Sequence, residues 1–135
     1  MKYVHPIGRA ALIVFTGLLT LAVLSACAKP SSPYVFSASQ SEVPLNATSM
    51  VDVRLVHQPN GKPVENAVIF EMRFDMSPDS MGDMAAPVTA QGSPAPGVYR
   101  FMVSPTMAGH WELKLSAKVQ GETESVNGSV FVTAR

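Results

Sequence analysis

The chain has 135 residues, 47% of them apolar and 15% charged, with ten basic residues against ten acidic ones and a single cysteine. That length allows one core-bearing domain. A balanced charge without a basic stripe leaves no electrostatic footprint for nucleic acid, and one cysteine rules out an internal disulfide framework.

At the N-terminus, Lys2 and Arg9 precede an apolar run from Ala10 to Leu24, broken only by Thr16, Gly17 and Thr20. A charged segment followed by an apolar one is the pattern of a secretory signal. The run is shorter than the roughly 20 apolar residues a spanning helix needs. It closes on Leu24-Ser25-Ala26-Cys27, which resembles the bacterial lipobox, where small residues admit the signal peptidase and the cysteine is acylated. The resemblance implies a lipoprotein signal peptide over 1–26 and lipidation at Cys27. It also implies an extracytoplasmic domain held to the membrane by its anchor, facing the periplasm. Ala28, being non-acidic, favours the outer over the inner membrane. An ordinary secretory signal with a chance cysteine is the alternative. Because Lys2 and Arg9 lie in the leader, eight basic residues then face ten acidic ones.

Residues 27–46 are rich in Ser, Pro and Ala and read as a tether, with a first short strand near Tyr34 to Ala38. From there to the C-terminus, 47–135, the pattern has period two and frequent turns. In "SMVDVRLVH", Val51, Val53, Leu55 and His57 share a face, and "PNGKP" supplies an Asn-Gly turn. "AVIFEMRFDM" places Val68, Phe70, Met72, Phe74 and Met76 on one face, with Glu71, Arg73 and Asp75 on the other. "SPDSMGDMAAP" reads as an irregular loop because of Pro78, Gly82 and Pro87, and a short strand follows near Val88 to Gln91. Tyr99, Phe101 and Val103 alternate with Arg100 and Met102 after "GSPAPG". Trp111, Leu113, Leu115, Ala117 and Val119 alternate with polar positions after "PTMAGH", and a last strand lies in "VNGSVFVTA". The expected fold is all-β, an immunoglobulin-like β-sandwich of about seven short antiparallel strands. Its expected core is Val51, Val53, Leu55, Val68, Phe70, Met72, Phe74, Tyr99, Phe101, Val103, Trp111, Leu113, Leu115, Val130 and Val132.

Catalytic signatures are missing: there is no Gly-x-Ser-x-Gly elbow and no phosphate-binding glycine loop, so a non-enzymatic protein is expected. The acids Asp79 and Asp83 on the loop read as solvated. The methionines carry more information. Met72 reads as core, whereas Met76 ends a strand and Met81 and Met84 fall in the loop, where a thioether gains little from packing. Thioether sulfur is a soft, neutral ligand suited to Cu(I). Met107 and His110 flank the turn "PTMAGH" and would join Met76, Met81 and Met84 if both loops lie at one end of the sandwich. The strands ending at Met76 and near Ser104 would deliver them there if they run in the same direction. His110 is the first choice for a nitrogen ligand and His57 the second. The other reading is that the methionines give a metal-free interaction module an adaptable apolar surface for a membrane-protein partner.

The segments "NGKPVENAVIFEMRFDMSPDSMGDM" and "PGVYRFMVSPTMAGHWELKLSAKVQG" resemble the YtkA-like domain, which is related to the periplasmic domain of FixH-like proteins. The resemblance covers about residues 45–133. It implies an immunoglobulin-like sandwich and a partner among metal-efflux or haem-copper oxidase assembly proteins. It carries copper binding onto Met76, Met81 and Met84, and more loosely onto Met107. FixH-like proteins usually span the membrane, whereas this chain has the features of an acylated one.

Overall fold

The computed structural model describes residues 32–135. The expected signal peptide over 1–26 and the expected lipidation at Cys27 fall outside the described residues. Ten strands form two sheets: β1 (Tyr34–Ala38), β2 (Glu42–Val43), β3 (Ser49–His57), β4 (Lys62–Pro63), β5 (Val68–Met76), β6 (Met81–Ala86), β7 (Val88–Ala90), β8 (Val98–Val103), β9 (Gly109–Lys118) and β10 (Val126–Ala134). One sheet has the order β1-β3-β8-β7, with β4 also on β3; the other runs β2-β10-β9-β5-β6. All pairings are antiparallel except β2 with β10, which is parallel. The fold is therefore the all-β sandwich expected. Residues 34–46, assigned from sequence mostly to a tether, supply β1 and β2 to the sheets. Among the described residues, no helix is long and apolar enough to cross a membrane.

The alternating patterns become the two inner faces. Val51, Val53, Leu55, Phe101 and Val103 meet Phe74, Met76, Trp111, Leu113, Leu115, Val130 and Val132, all buried. Phe74 and Trp111 stack with ring centroids 4.8 Å apart. At roughly 1.5–3 kcal/mol per large apolar side chain, this core holds the domain with no disulfide.

The expected core fails at two positions, and strand β5 explains both. Its register against β9 shifts between Ile69 and Glu71, so Phe70 is the extra residue of a β-bulge. A one-residue insertion exchanges the faces before it. Ile69, opposite Ala117, packs against the core, whereas Val68 and Phe70 face solvent, Phe70 being 51% exposed. Met72 is partly buried against the core.

A second departure is β6. "SPDSMGDMAAP" is not an irregular loop: Ser77–Asp79 form a 3-10 turn, Ser80 adopts φ 60, and Met81–Ala86 return along β5. After Pro87 the same passage continues as β7 in the other sheet. One chain passage thus separates β5 from β8, and the two strands leave their following loops at the same end of the sandwich.

The quoted segments interlock. Gly97 has φ +70, and a Cβ there would lie 2.4 Å from Pro63 Cβ, so only glycine fits against the β4 turn. The Tyr99 hydroxyl donates to Val64 O at 2.7 Å and accepts from Ala67 N at 2.9 Å, tying that turn to β8. Burial raises the Tyr99 pKa above its ordinary value.

Candidate metal centre at the end of β5

The C-terminal end of β5 and the start of β9 are neighbours because the strands pair antiparallel, Asp75 opposite Glu112. Phe74 points into the core, so Asp75 points to the outer face, yet it is only 1% exposed. Three side chains cover it. Arg73 Nε donates to Oδ2 at 2.7 Å, Lys114 Nζ lies 3.0 Å from Oδ2, and Ser77 donates to Oδ1 through N at 3.0 Å and Oγ at 2.6 Å. Burial pushes the carboxyl pKa up, but the bonds from Ser77, Lys114 and Arg73 outweigh it and hold Asp75 far below the usual carboxylate range. Arg73 Nη2 also donates to Gly82 O at 2.7 Å. This network fixes the exit of β5, the 3-10 turn and the start of β6 as one unit.

Within that unit the β5–β6 register shifts at Met76. A continued register would oppose Met76 to Met84; instead Met76 pairs with Met81, and Gly82–Met84 swing out between. Met76 is fully buried, Met81 is half-buried against the core, and Met84 is exposed. Met107 is exposed on the 104–108 loop, and its carbonyl accepts the Trp111 Nε1 hydrogen at 3.0 Å. The buried indole therefore anchors the loop that carries Met107.

Asp79 joins the two segments. Its Oδ2 accepts the backbone N–H of His110 at 2.7 Å, and its Oδ1 lies 2.9 Å from His110 Nδ1. The backbone bond and then the ring bond hold the Asp79 carboxyl below its ordinary pKa. An ionised carboxylate only accepts, so Nδ1 carries a proton, and in the neutral imidazole the lone pair is then on the opposite nitrogen, Nε2. The His110 side chain is 64% exposed, which leaves that nitrogen reachable from solvent. A carboxylate behind an imidazole is the arrangement that orients histidine ligands in metal sites. Gly109 makes the contact possible: a Cβ there would fall 2.5 Å from Asp79 Oδ2 and 2.6 Å from Met76 Cε.

Asp79 thus lies against His110 and, across Gly109, close to Met76, which pairs with Met81; Met84 sits on the adjoining bulge and Met107 on the loop that precedes Gly109. His57 is not with them. It ends β3, whose first residue lies opposite Val103 beside the 104–108 loop, so roughly 26 Å of strand separates it from this end. Its ring packs instead on Tyr34, centroids 5.0 Å apart. Asp79, read from sequence as solvated, is the residue that sequence reasoning missed. Its partner lies 31 positions away, and no local spacing announces the pair. The donors are mainly thioethers, and among the described residues no three His, Cys, Asp or Glu side chains gather into a harder site. Such a set fits Cu(I) and is poor for Mg or Ca.

Among solved structures, the ZirS C-terminal domain is similar at 10% identity and TM-score 0.49, over 100% of this chain and 85% of that one. Domains 1–6 of the surface layer protein SbsC match at 17% identity and TM-score 0.41, over 75% of this chain and 13% of that one. Domains 4 and 5 of the same S-layer protein match at 18% and 0.38, over 73% and 50%. No functionally curated protein matches the chain in sequence. The YtkA-like family model matches residues 28–116, two-thirds of the chain, and spans both the Pro63–Gly97 contact and the Met76–His110 end; the chain belongs to the YtkA-like family.

Proposed function

We propose that this is a non-enzymatic bacterial lipoprotein, anchored through Cys27 outside the cytoplasm, that binds or hands on Cu(I) at the end of β5. Met81, Met107 and His110 Nε2 are the accessible donors. Met76 lies beneath them and Met84 beside them. The observation that carries the reading is the imidazole held by Asp79 at the end of the fold where Met76 pairs with Met81. A YtkA-like domain of this kind serves as an accessory to metal efflux or oxidase assembly, as FixH-like proteins do, but as an acylated protein rather than a spanning one.

The test is competition for Cu(I) against a chromophoric chelator, using the full chain in detergent with Cys27→Ser to remove its one thiol. Replacing Met81 and Met107 by Leu and His110 by Gln is expected to weaken binding at least tenfold. Equal affinity in the two proteins would overturn the metal reading. The second reading, a metal-free contact surface for a membrane-protein partner, is favoured by the exposure of Met84 and Met107. In that case the Leu substitutions keep partner association, whereas Met84→Ser with Met107→Ser loses it.

A further inference from the structure

Six of the eight methionines lie near one end of the sandwich, and two of them belong to the other sheet. Met50, the second residue of β3, is directly opposite Met102, the penultimate residue of β8. Their inward neighbours Val51, Phe101 and Val103 are buried, so both methionines project from the outer face. Met50 is 45% exposed and Met102 half-buried. Directly opposed residues of antiparallel strands have Cα atoms about 4.5–5.5 Å apart, which brings two flexible thioethers within the span of a single ion.

Packing accounts poorly for this pair. A solvent-facing cross-strand pair gains most from β-branched, aromatic or oppositely charged residues. The next row on the same face follows that rule. Arg100 grips Asp52 through Nε at 2.7 Å and Nη2 at 2.8 Å, a bidentate pair that neutralises its own charge. It therefore adds no net charge against a cation beside Met50 and Met102. On the other side Met102 faces Thr89 of β7. The strand ends are fixed: the Gln40 side-chain amide donates to Met50 O, and Thr48 Oγ1 lies 3.1 Å from Ser104 Oγ.

We propose that Met50 and Met102 form a second soft-cation site, a two-thioether seat for Cu(I) on the outer face of β3 and β8. It is distinct from the β5 centre and stands on different side chains. Two neutral sulfurs without an imidazole hold the ion more weakly than the β5 centre does, which suits a site that releases Cu(I) readily. Its position beside the 104–108 loop, which carries Met107, places it next to the first site along the chain.

The experiment is a titration of the full chain in detergent, labelled with carbon-13 at the methionine methyls, with Ag(I) as a redox-inert soft cation of the same charge. Signals are assigned by single Met→Leu variants. The Met50 and Met102 methyl signals are expected to shift together, and Met50→Leu is expected to abolish the Met102 shift, and the converse. Both shifts are expected to persist when Met81 and Met107 are Leu and His110 is Gln. Unmoved signals, or shifts that survive loss of the partner methionine, would overturn the proposal. Failure of the β5 centre has a separate signature: the Met81 and Met107 signals stay still while the Met50 and Met102 pair responds.

Discussion

Gly109, with φ +140, sits where its missing side chain lets three others meet: the Asp79 carboxylate, the Met76 methyl and the His110 backbone. Gly109→Ala must move Asp79 or bend the start of β9. We expect a loss of about 1–3 kcal/mol in urea unfolding, with the His110–Asp79 contact broken. Asp75 acts at the same scale by charge. Its folded pKa lies far below the unfolded value near 3.9, so its contribution is complete above about pH 4 and is lost as pH falls through the folded pKa. Asp75→Asn leaves Arg73 and Lys114 without their shared anion. It is expected to cost about 2–3 kcal/mol at pH 7, by analogy with other charged hydrogen bonds. The gap to wild type should narrow as denaturation is repeated at successively lower pH from 4 downward. A constant gap would mean that Asp75 acts through shape alone.

At the scale of the element, strand β5 shows how one inserted residue redistributes burial. Phe70 and Phe74 look equivalent in an alternating pattern, yet the bulge puts Phe70 outside and Phe74 against Trp111. Phe74→Ala is expected to destabilise by about 3–5 kcal/mol and Phe70→Ala by no more than about 0.5 kcal/mol. Comparable losses in chemical denaturation would mean that the bulge does not persist in solution. Strand β6 carries the complementary lesson. Pro78 and Pro87 fall outside it, at the 3-10 turn and at the crossing between sheets, so neither interrupts its pairing. Gly82 sits inside, at the bulge where Arg73 reaches its carbonyl. Breaker residues marked the edges of the element and its irregular point, and the segment between them still paired.

Across the whole molecule, the two quoted segments form two locks that position the sheets. Pro63, Val64 and Ala67 close on Gly97 and Tyr99, and Met76 and Asp79 close on Gly109 and His110. Tyr99→Phe removes the hydroxyl from the first lock and leaves Val64 O and Ala67 N without their partner. The expected cost is about 1–3 kcal/mol in thermal or urea unfolding. Because the affected turn joins β4 and β5, the methyl signals of Met81 and Met107 at the far lock should stay unchanged. Displacement of those signals would show that the two locks act as one unit.

Period-two patterning from Met50 onward was enough to determine an all-β sandwich, the inward faces of β3, β8, β9 and β10, and the end of β5 at Met76. The reason is local: side chains alternate along any strand, and a buried face must be apolar wherever the strand lies. It also singled out the methionines near turns and strand ends, although Met76 proves to be buried core and Met81 packs partly against it. The face exchange at Phe70, the pairing of Met76 with Met81 rather than Met84, and the aiming of His110 by Asp79 were decided only by the tertiary structure. Each depends on which residue of a distant strand lies opposite, and register is set by the sum of all contacts along a ladder. The pairing of Met50 with Met102 across strands 52 positions apart is the same kind of fact.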